Sequence, residues 1–410
     1  MRGEASTVKV REFQAEKDIE AVVALENTCE VGPSAGKLSL FTHLLGDPLS
    51  RVRHSPSFSM LVAETRGSIV GVVRGCIKTV TCGKKMIRSP SGVKYQTPIY
   101  TKLAYLLGLR VSPSHRRMGI GLKLVQRMEE WFRSKGAEYS YIATDHDNEA
   151  SLRLFTVRSG YTKFRTPAIL VHPVFAHPLP LGRRRLGRRP SPVFHPLSPA
   201  DAEILYRGRL STTEFFPRDI GAVLRNPLSI GTFLALPSDH SAAATWPGAS
   251  AFLASPPASW AVLSIWNCKA VFRLEVRGAG KWRRGLARLT RAVDRALPFF
   301  RIPSVPDVFR PFGMYLMYGI DGEGDEAAEM VRTLCKRAHN MAREDGCGVV
   351  AAEVAAEEPL RRGIPYWRRM SCAEDLWCVK RLADEYSDGA VGDWTKAPPG
   401  NSIFVDPREF

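Results

Sequence analysis

No run of eighteen apolar residues occurs in the 410-residue chain, so a membrane-spanning helix is not expected. The opening Met1-Arg2-Gly3-Glu4 lacks the apolar stretch of a secretory signal, and the expectation is a soluble, intracellular protein that is not secreted. The eight cysteines, at 29, 76, 82, 268, 335, 347, 372 and 378, include no Cys-x-x-Cys and no Cys/His cluster at zinc spacing. They are read as reduced and mostly buried, and no metal is expected: neither Cys76/Cys82 nor Cys372/Cys378 has a matching second pair. Acidic residues are outnumbered, 41 Asp+Glu against 58 Lys+Arg, for a net charge of +17. Residues 302–390 reverse the balance with 11 basic and 16 acidic residues, a net of −5, which leaves +22 for the remainder. The basic part suits an anionic ligand, nucleic acid or an acidic protein. The length allows two to three domains, and 44% hydrophobic content suffices for packed cores.

What the chain does carry is concentrated at Val111-Ser112-Pro113-Ser114-His115-Arg116-Arg117-Met118-Gly119-Ile120-Gly121. This stretch follows an apolar run, Leu103 to Val111, and precedes Leu122, Val125, Met128 and Phe132 at helical spacing. A strand that ends in a basic, Gly-containing loop and opens a helix presents free backbone N–H groups at a positive helix terminus, the physical means of holding a phosphate. The loop has neither the Gly-Lys-Ser/Thr ending of a Walker A loop nor the G-x-G-x-x-G dinucleotide spacing. Tyr139 to Thr144 then reads as a strand, Asp145-His146-Asp147-Asn148 as a helix-capping loop, and Glu149 to Ser159 as a helix closed by Gly160-Tyr161.

Arg-x-x-Gly-x-Gly, followed by Asn, a Leu-aromatic helix and Gly-aromatic, resembles the phosphate loop and flanking elements of the GNAT superfamily of acyl-CoA N-acyltransferases. The order expected for residues 7–175 is that family's: strand Thr7–Phe13, helix Asp18–Asn27, a short helical piece near Leu38–Leu45, a hairpin of Met60–Ala63 and Ile69–Val80, a loop at Ser89–Thr97, then the strand, phosphate loop, helix, strand and helix above. Cys29-Glu30-Val31-Gly32-Pro33-Ser34, Gly75-Cys76-Ile77-Lys78-Thr79-Val80, Asp145 to Ser151 and Gly363-Ile364-Pro365-Tyr366-Trp367 are similar to the plant Hookless-type probable N-acetyltransferases, nearly end to end.

The resemblance implies an α/β (α+β mixed sheet) fold, with a GNAT domain over 1–175. A Pro/Arg-rich linker over 176–199 holds Arg183 to Arg189. A second, degenerate GNAT-like lobe follows over 200–385, with a tail at 386–410. The second lobe echoes the first: strand Gly313–Ile320, turn Gly322–Asp325, helix Glu326–Arg343, strand Gly348–Val354, helix Glu358–Met370 and strand Leu376–Lys380. Its loop carries Asp321, Glu323, Asp325 and Glu326, which disfavour phosphate. In Lys281–Phe300, the stripe Trp282, Leu286, Leu289, Val293 and Leu297 is read as core packing rather than a membrane or partner helix.

The resemblance also implies a function: acetyl-CoA as co-substrate and an amine acceptor, either a protein lysine, such as that of a histone or other basic protein, or a small amine. It further implies a nuclear role in ethylene-linked control of hypocotyl growth. Direct nucleic-acid binding and a membrane partner are not expected, and a homo-oligomer is left open. Coenzyme A is assigned to Leu109, Arg110, Val111, Arg116, Arg117, Met118, Gly119, Ile120, Gly121, Leu122, Asn148 and Phe155.

A lysine-like amine with a pKa near ~10.4 needs about 4.6 kcal/mol to reach its neutral form at pH 7, so a proton acceptor is required. Leu107, Gly108 and Leu109 offer none. Glu30 and Asp145 are the candidate bases, ahead of His146 and Asp147; Asp147 or Asn148 is equally suited to capping the next helix. Phe155 stands where many relatives have a tyrosine acid, and the helix to Gly160 is one residue longer. The alternative reading is therefore an acyl-CoA-binding regulatory or scaffold protein with little turnover. A third, nucleic-acid binding through Arg183–Arg189, lacks an accompanying recognition motif.

Overall fold

The apolar runs between Ser57 and Val111 become long antiparallel strands, and the two helical stripes at 120–134 and 327–344 become the helices that cover two sheets. The computed structural model describes residues 8–29, 39–90, 92–182, 192–384 and 392–410. The first part comprises β1 (Lys9–Glu12), α1 (Ala15–Thr28), β2 (Ser39–His43), β3 (Ser57–Thr65), β4 (Ser68–Arg88), β5 (Lys94–Val111), α2 (Ile120–Ser134), β6 (Tyr139–Asp145), α3 (Glu149–Leu152), β7 (Thr162–Arg165) and β8 (Ala168–Pro173). The second comprises β9 (Val193–Leu197), α4 (Pro199–Leu210), α5 (Ile220–Leu224), β10 (Ser229–Leu236), α6 (Ser241–Ala244), α7 (Ala249–Ala254), β11 (Trp260–Asn267), β12 (Arg273–Arg277), α8 (Lys281–Ala296), β13 (Met314–Glu323), α9 (Ala327–Glu344), β14 (Val349–Val354) and β15 (Asp375–Arg381).

The described residues form a seven-stranded sheet, β1-β3-β4-β5-β6-β15-β7, a six-stranded sheet, β8-β14-β13-β11-β10-β9, and a ribbon of β2 with β12. Each large sheet has one parallel pair bridged by a helix: β5 and β6 by α2, β13 and β14 by α9. α2 buries Ile120, Leu124, Val125, Met128 and Phe132 against the first sheet. α9 buries Met330, Val331, Leu334, Cys335 and Ala338 against the second. The repeat extends to one backbone irregularity. Gly108 in β5 and Gly319 in β13, at φ +60° and +59°, each form a bulge five residues past the start of the parallel pairing, at Leu103 and Met314. A Cβ at Gly108 would meet the Arg74 guanidinium at 2.7 Å, and one at Gly319 the Tyr206 ring at 2.7 Å.

The two lobes exchange strands. β8, expected in the first domain, pairs with β14 in the second sheet, and β15, expected to finish the second lobe, lies between β6 and β7 in the first. A division at residue 175 therefore cuts through both sheets. The described ends of the 176–199 segment are also built in: β9 pairs with β10, and His177 is buried. Residues 392–410 are not a tail, since Trp394 is fully buried among Tyr139, Phe164 and Phe215, and Phe404 to Glu409 lie between the lobes.

Other expectations fail locally. The expected helical piece at Leu38–Leu45 is strand β2 over its described part, fixed by pairing with β12 about 230 residues away. The expected loop at Ser89–Thr97 lies mostly in the β4–β5 hairpin, which pairs out to Arg88 and Lys94. Of the expected Glu358–Met370 helix only a 3₁₀ turn at Arg361–Gly363 forms, with Pro365 immediately beyond to stop propagation. The eight cysteines are free thiols, all buried but Cys372, which is half-buried.

Candidate functional site

The parallel pairing of β5 with β6 stops at Tyr105 and Tyr141. Beyond it the Gly108 bulge bends β5 toward β4, and the strands part into a wedge with Leu106–Val111 on one side and Ile142–Asp145 on the other. The loop over Arg116–Gly121 closes the mouth of this wedge. Gly119, at φ +76°, caps α2, and the first helical backbone bond runs from Lys123 N–H to Gly119 O at 3.1 Å. Ile120, Gly121 and Leu122 N–H are left without an intrahelical acceptor, pointing out of a positive helix end. Arg116, Arg117 and Met118 are solvent-exposed around it. Free N–H groups, two exposed guanidiniums and no carboxylate fit a pyrophosphate.

Other assigned residues fall into structural roles. Leu109 and Val111 pack at the edge of the α2-side core, and Ile120 is buried in it. Arg110 lies 3.9 Å from Glu26 on the opposite face. Asn148 caps α3 by accepting from Ser151 N–H at 3.2 Å. The extra residue before Gly160 is absorbed as a π turn over Arg153–Arg158, and Phe155 is buried there, edge-on to Tyr161 at 5.3 Å. Tyr161 is itself buried, its hydroxyl 2.9 Å from Ser140. Glu30 and the arginine run 183–189 lie outside the described residues. Asp145 turns its carboxylate onto Asp147 N–H at 2.9 Å, an Asx turn.

The side of the wedge facing the second lobe carries polar groups that sequence reasoning missed. Asp375 on β15 sits directly across from Asp145 and is buried. Burial, then repulsion from Asp145, pushes its carboxyl up to about 7. Glu353, a lone carboxylate within the apolar strand β14, accepts from Trp377 Nε1 at 3.1 Å. Burial and then the Asp375 charge push Glu353 well up as well.

Tyr105, at the fork, stacks on Tyr141 with ring centroids 4.4 Å apart. Burial raises the Tyr105 hydroxyl; Arg51 opposes this, while Glu409, Glu353 and Asp375 add to it, so all of these charges are felt at the fork. Burial also lowers Arg51, and the nitrogen Nε of Arg51 has no hydrogen-bond partner among the described residues. Beneath them Arg74 binds Glu26 at 2.7 Å and the Pro48 carbonyl at 2.5 Å. An isolated carboxylate inside an apolar strand run, as at Glu353, was a readable signal; Asp375 gave none, because only the strand exchange brings it here.

The second lobe offers no comparable mouth. Arg209 holds Asp321 and Glu323 at 3.0 Å each, and the nearby hollow of about 290 Å³ is lined by Glu326 and Glu329. An anion would meet carboxylates there.

A forked parallel pair with a phosphate-suited helix end at its mouth is the arrangement of the GNAT fold, whose members use an acyl-CoA. Residues 25–161 match the model of the acetyltransferase (GNAT) family. The chain is 62% identical over 408 residues to the Arabidopsis thaliana probable N-acetyltransferase HLS1, covering 98% of this chain and 99% of that protein. It is 61% identical over 417 residues to the same plant's probable N-acetyltransferase HLS1-like, with the same coverage. Among solved structures, Saccharomyces cerevisiae N-myristoyltransferase with bound myristoyl-CoA aligns with 94% of this chain and 80% of that one, at a TM-score of 0.51 and 10% identity, a likeness of fold. The chain belongs to the GNAT acetyltransferase family, in the branch of these plant HLS1-type proteins.

Proposed function

We propose that the chain transfers an acetyl group from acetyl-CoA to a cationic amine, a protein lysine or a small amine, and that Asp375 accepts the amine's proton. The observation that carries this reading is the buried Asp375–Glu353 pair on the acceptor side of a wedge whose other mouth is the Arg116–Gly121 loop. The loop N–H groups of Ile120, Gly121 and Leu122, with Arg116 and Arg117, would hold the pyrophosphate. A backbone N–H of the bulged Leu109–Val111 segment would polarise the thioester carbonyl. The carboxylates favour an ammonium at the entrance, and a carboxyl near 7 takes its proton at a lower cost than one at the ordinary 3.8 would. Nitrogen then bonds the acetyl carbon, loses its second proton to water as the C–S bond breaks and the amide forms, and the thiolate takes a proton from water.

Histones and hormone-linked growth control in the nucleus stay with this reading as proposals drawn from family likeness. Purified protein incubated with acetyl-CoA and panels of histone tails and small amines tests it through thiol release. Release that depends on an amine supports it, and bound acetyl-CoA without release above background contradicts it.

A second reading, an acyl-CoA-binding scaffold without turnover, is favoured by one observation: the Phe155 ring is buried and offers no acid near the donor. The two separate in Gly119→Glu, which should abolish cofactor binding; biological function that survives this loss favours the scaffold.

A further inference from the structure

The stripe read as core packing is the most exposed apolar surface among the described residues. Trp282 is 92% exposed, Leu286 63%, Leu289 61%, Phe299 71% and Phe300 65%. The inner side of α8, marked by Ala287 and Asp294 seven residues apart, holds the helix to the body through polar contacts. Asp294 is fully buried and accepts from Ala176 N–H at 2.8 Å and from Ser304, and faces His177 Nδ1 at 2.6 Å; Arg291 donates to the Val174 carbonyl at 2.5 Å. Burial of Asp294 raises its carboxyl, and the bonds from Ser304, His177 and Ala176 more than reverse this, so it stays ionised and committed.

With the helix's sole carboxylate turned inward, the outward surface is apolar and cationic only. Lys281, Arg283, Arg284, Arg288 and Arg295 are exposed on its flanks, and Arg301 follows Phe300. The hollow of about 290 Å³ lies elsewhere, at the start of α9, and is lined by no residue of α8. No described helix is long and apolar enough to cross a membrane. An apolar row with Trp at one end and Phe-Phe at the other, flanked by arginines and free of acidic groups, matches a soft planar anionic medium. The rings and leucines reach the headgroup boundary, and the arginine stems let the guanidiniums meet phosphates.

We propose that α8 and the Phe299–Phe300 turn dock on the surface of an anionic phospholipid bilayer. This occupant is independent of the acetyl-transfer reading, since α8 contributes nothing to the wedge. The full chain should co-sediment with phosphatidylcholine/phosphatidylserine vesicles at least ~10-fold better than with phosphatidylcholine alone. Leu286→Ser/Leu289→Ser should lose that binding at low salt while keeping the wild-type melting curve, and Phe299→Ser/Phe300→Ser, outside the helix, should reproduce the loss. Absence of sedimentation with the serine lipid would overturn the proposal. So would full retention in both variants, or binding to polyglutamate or DNA that exceeds vesicle binding and ignores the apolar substitutions, since each makes the patch a charge contact.

Discussion

Asp375 bears the hardest single demand of the chemistry, because a carboxylate in water near its ordinary value of 3.8 is too weak a base to take a proton from an ammonium. Raised to about 7, it is protonated below that pH and ionised above it. Activity should therefore rise with pH through about 7. Asp375→Asn should flatten that rise and lower kcat by ~100-fold or more with acetyl-CoA binding retained, as read from a pH–rate profile beside a binding isotherm. The sign for stability is opposite: the folded form keeps a proton the unfolded chain releases, so this group's contribution is full below about 4 and lost as pH rises through about 7.

His172 runs the other way. Its ring nitrogens have no partner among the described residues, and burial pushes it down to about 4 from 6.5. The stability tied to its neutral form is present above 6.5 and lost as pH falls through about 4, up to roughly 3 kcal/mol. His172→Leu should move the acid-unfolding midpoint to lower pH, followed by far-UV circular dichroism.

At the scale of elements, local grammar decided what was readable. The loop before α2 announced itself because strand, basic glycine loop and helix are adjacent in sequence, and the structure builds them as read. Gly119→Glu places a carboxylate at the free N–H groups and forces a non-glycine residue into φ +76°, so acetyl-CoA affinity should fall ~100-fold or more by calorimetry. Where pairing is remote, sequence patterns misled. Ser39–His43 has mixed polar and apolar residues that fit a helix as well as a strand, and only β12 decides between them. The α8 stripe obeys helical periodicity whether it faces a core or a ligand, so spacing alone could not report that Trp282 is exposed.

At the scale of the molecule, the site is completed by exchange between lobes. β15 carries Asp375 into the first sheet, and the last residues of the chain fasten the lobes together. Glu409 accepts from Tyr141 at 2.6 Å and pairs with Lys78, Asp406 stands 3.4 Å from Lys78, and Arg408 bridges Asp406 to Asp219 at 2.7 Å each. All of these charges but the half-exposed Asp219 are buried, and removing Lys78 leaves its carboxylate partners uncompensated. Lys78→Met should cost roughly 3–5 kcal/mol and lower one shared unfolding transition rather than split it in two, as checked by calorimetry. Nothing in the composition of 392–410 distinguishes this plug from a solvated tail; its role exists only once both lobes are in place.

The central claim is that the wedge turns over rather than merely binds. The most direct measurement is thiol release from acetyl-CoA by the purified chain, with and without a lysine-bearing acceptor, at pH values on both sides of 7. The expected result is release that needs the amine, climbs through about pH 7 and collapses in Asp375→Asn. Saturable acetyl-CoA binding with no amine-dependent release at any pH would contradict it.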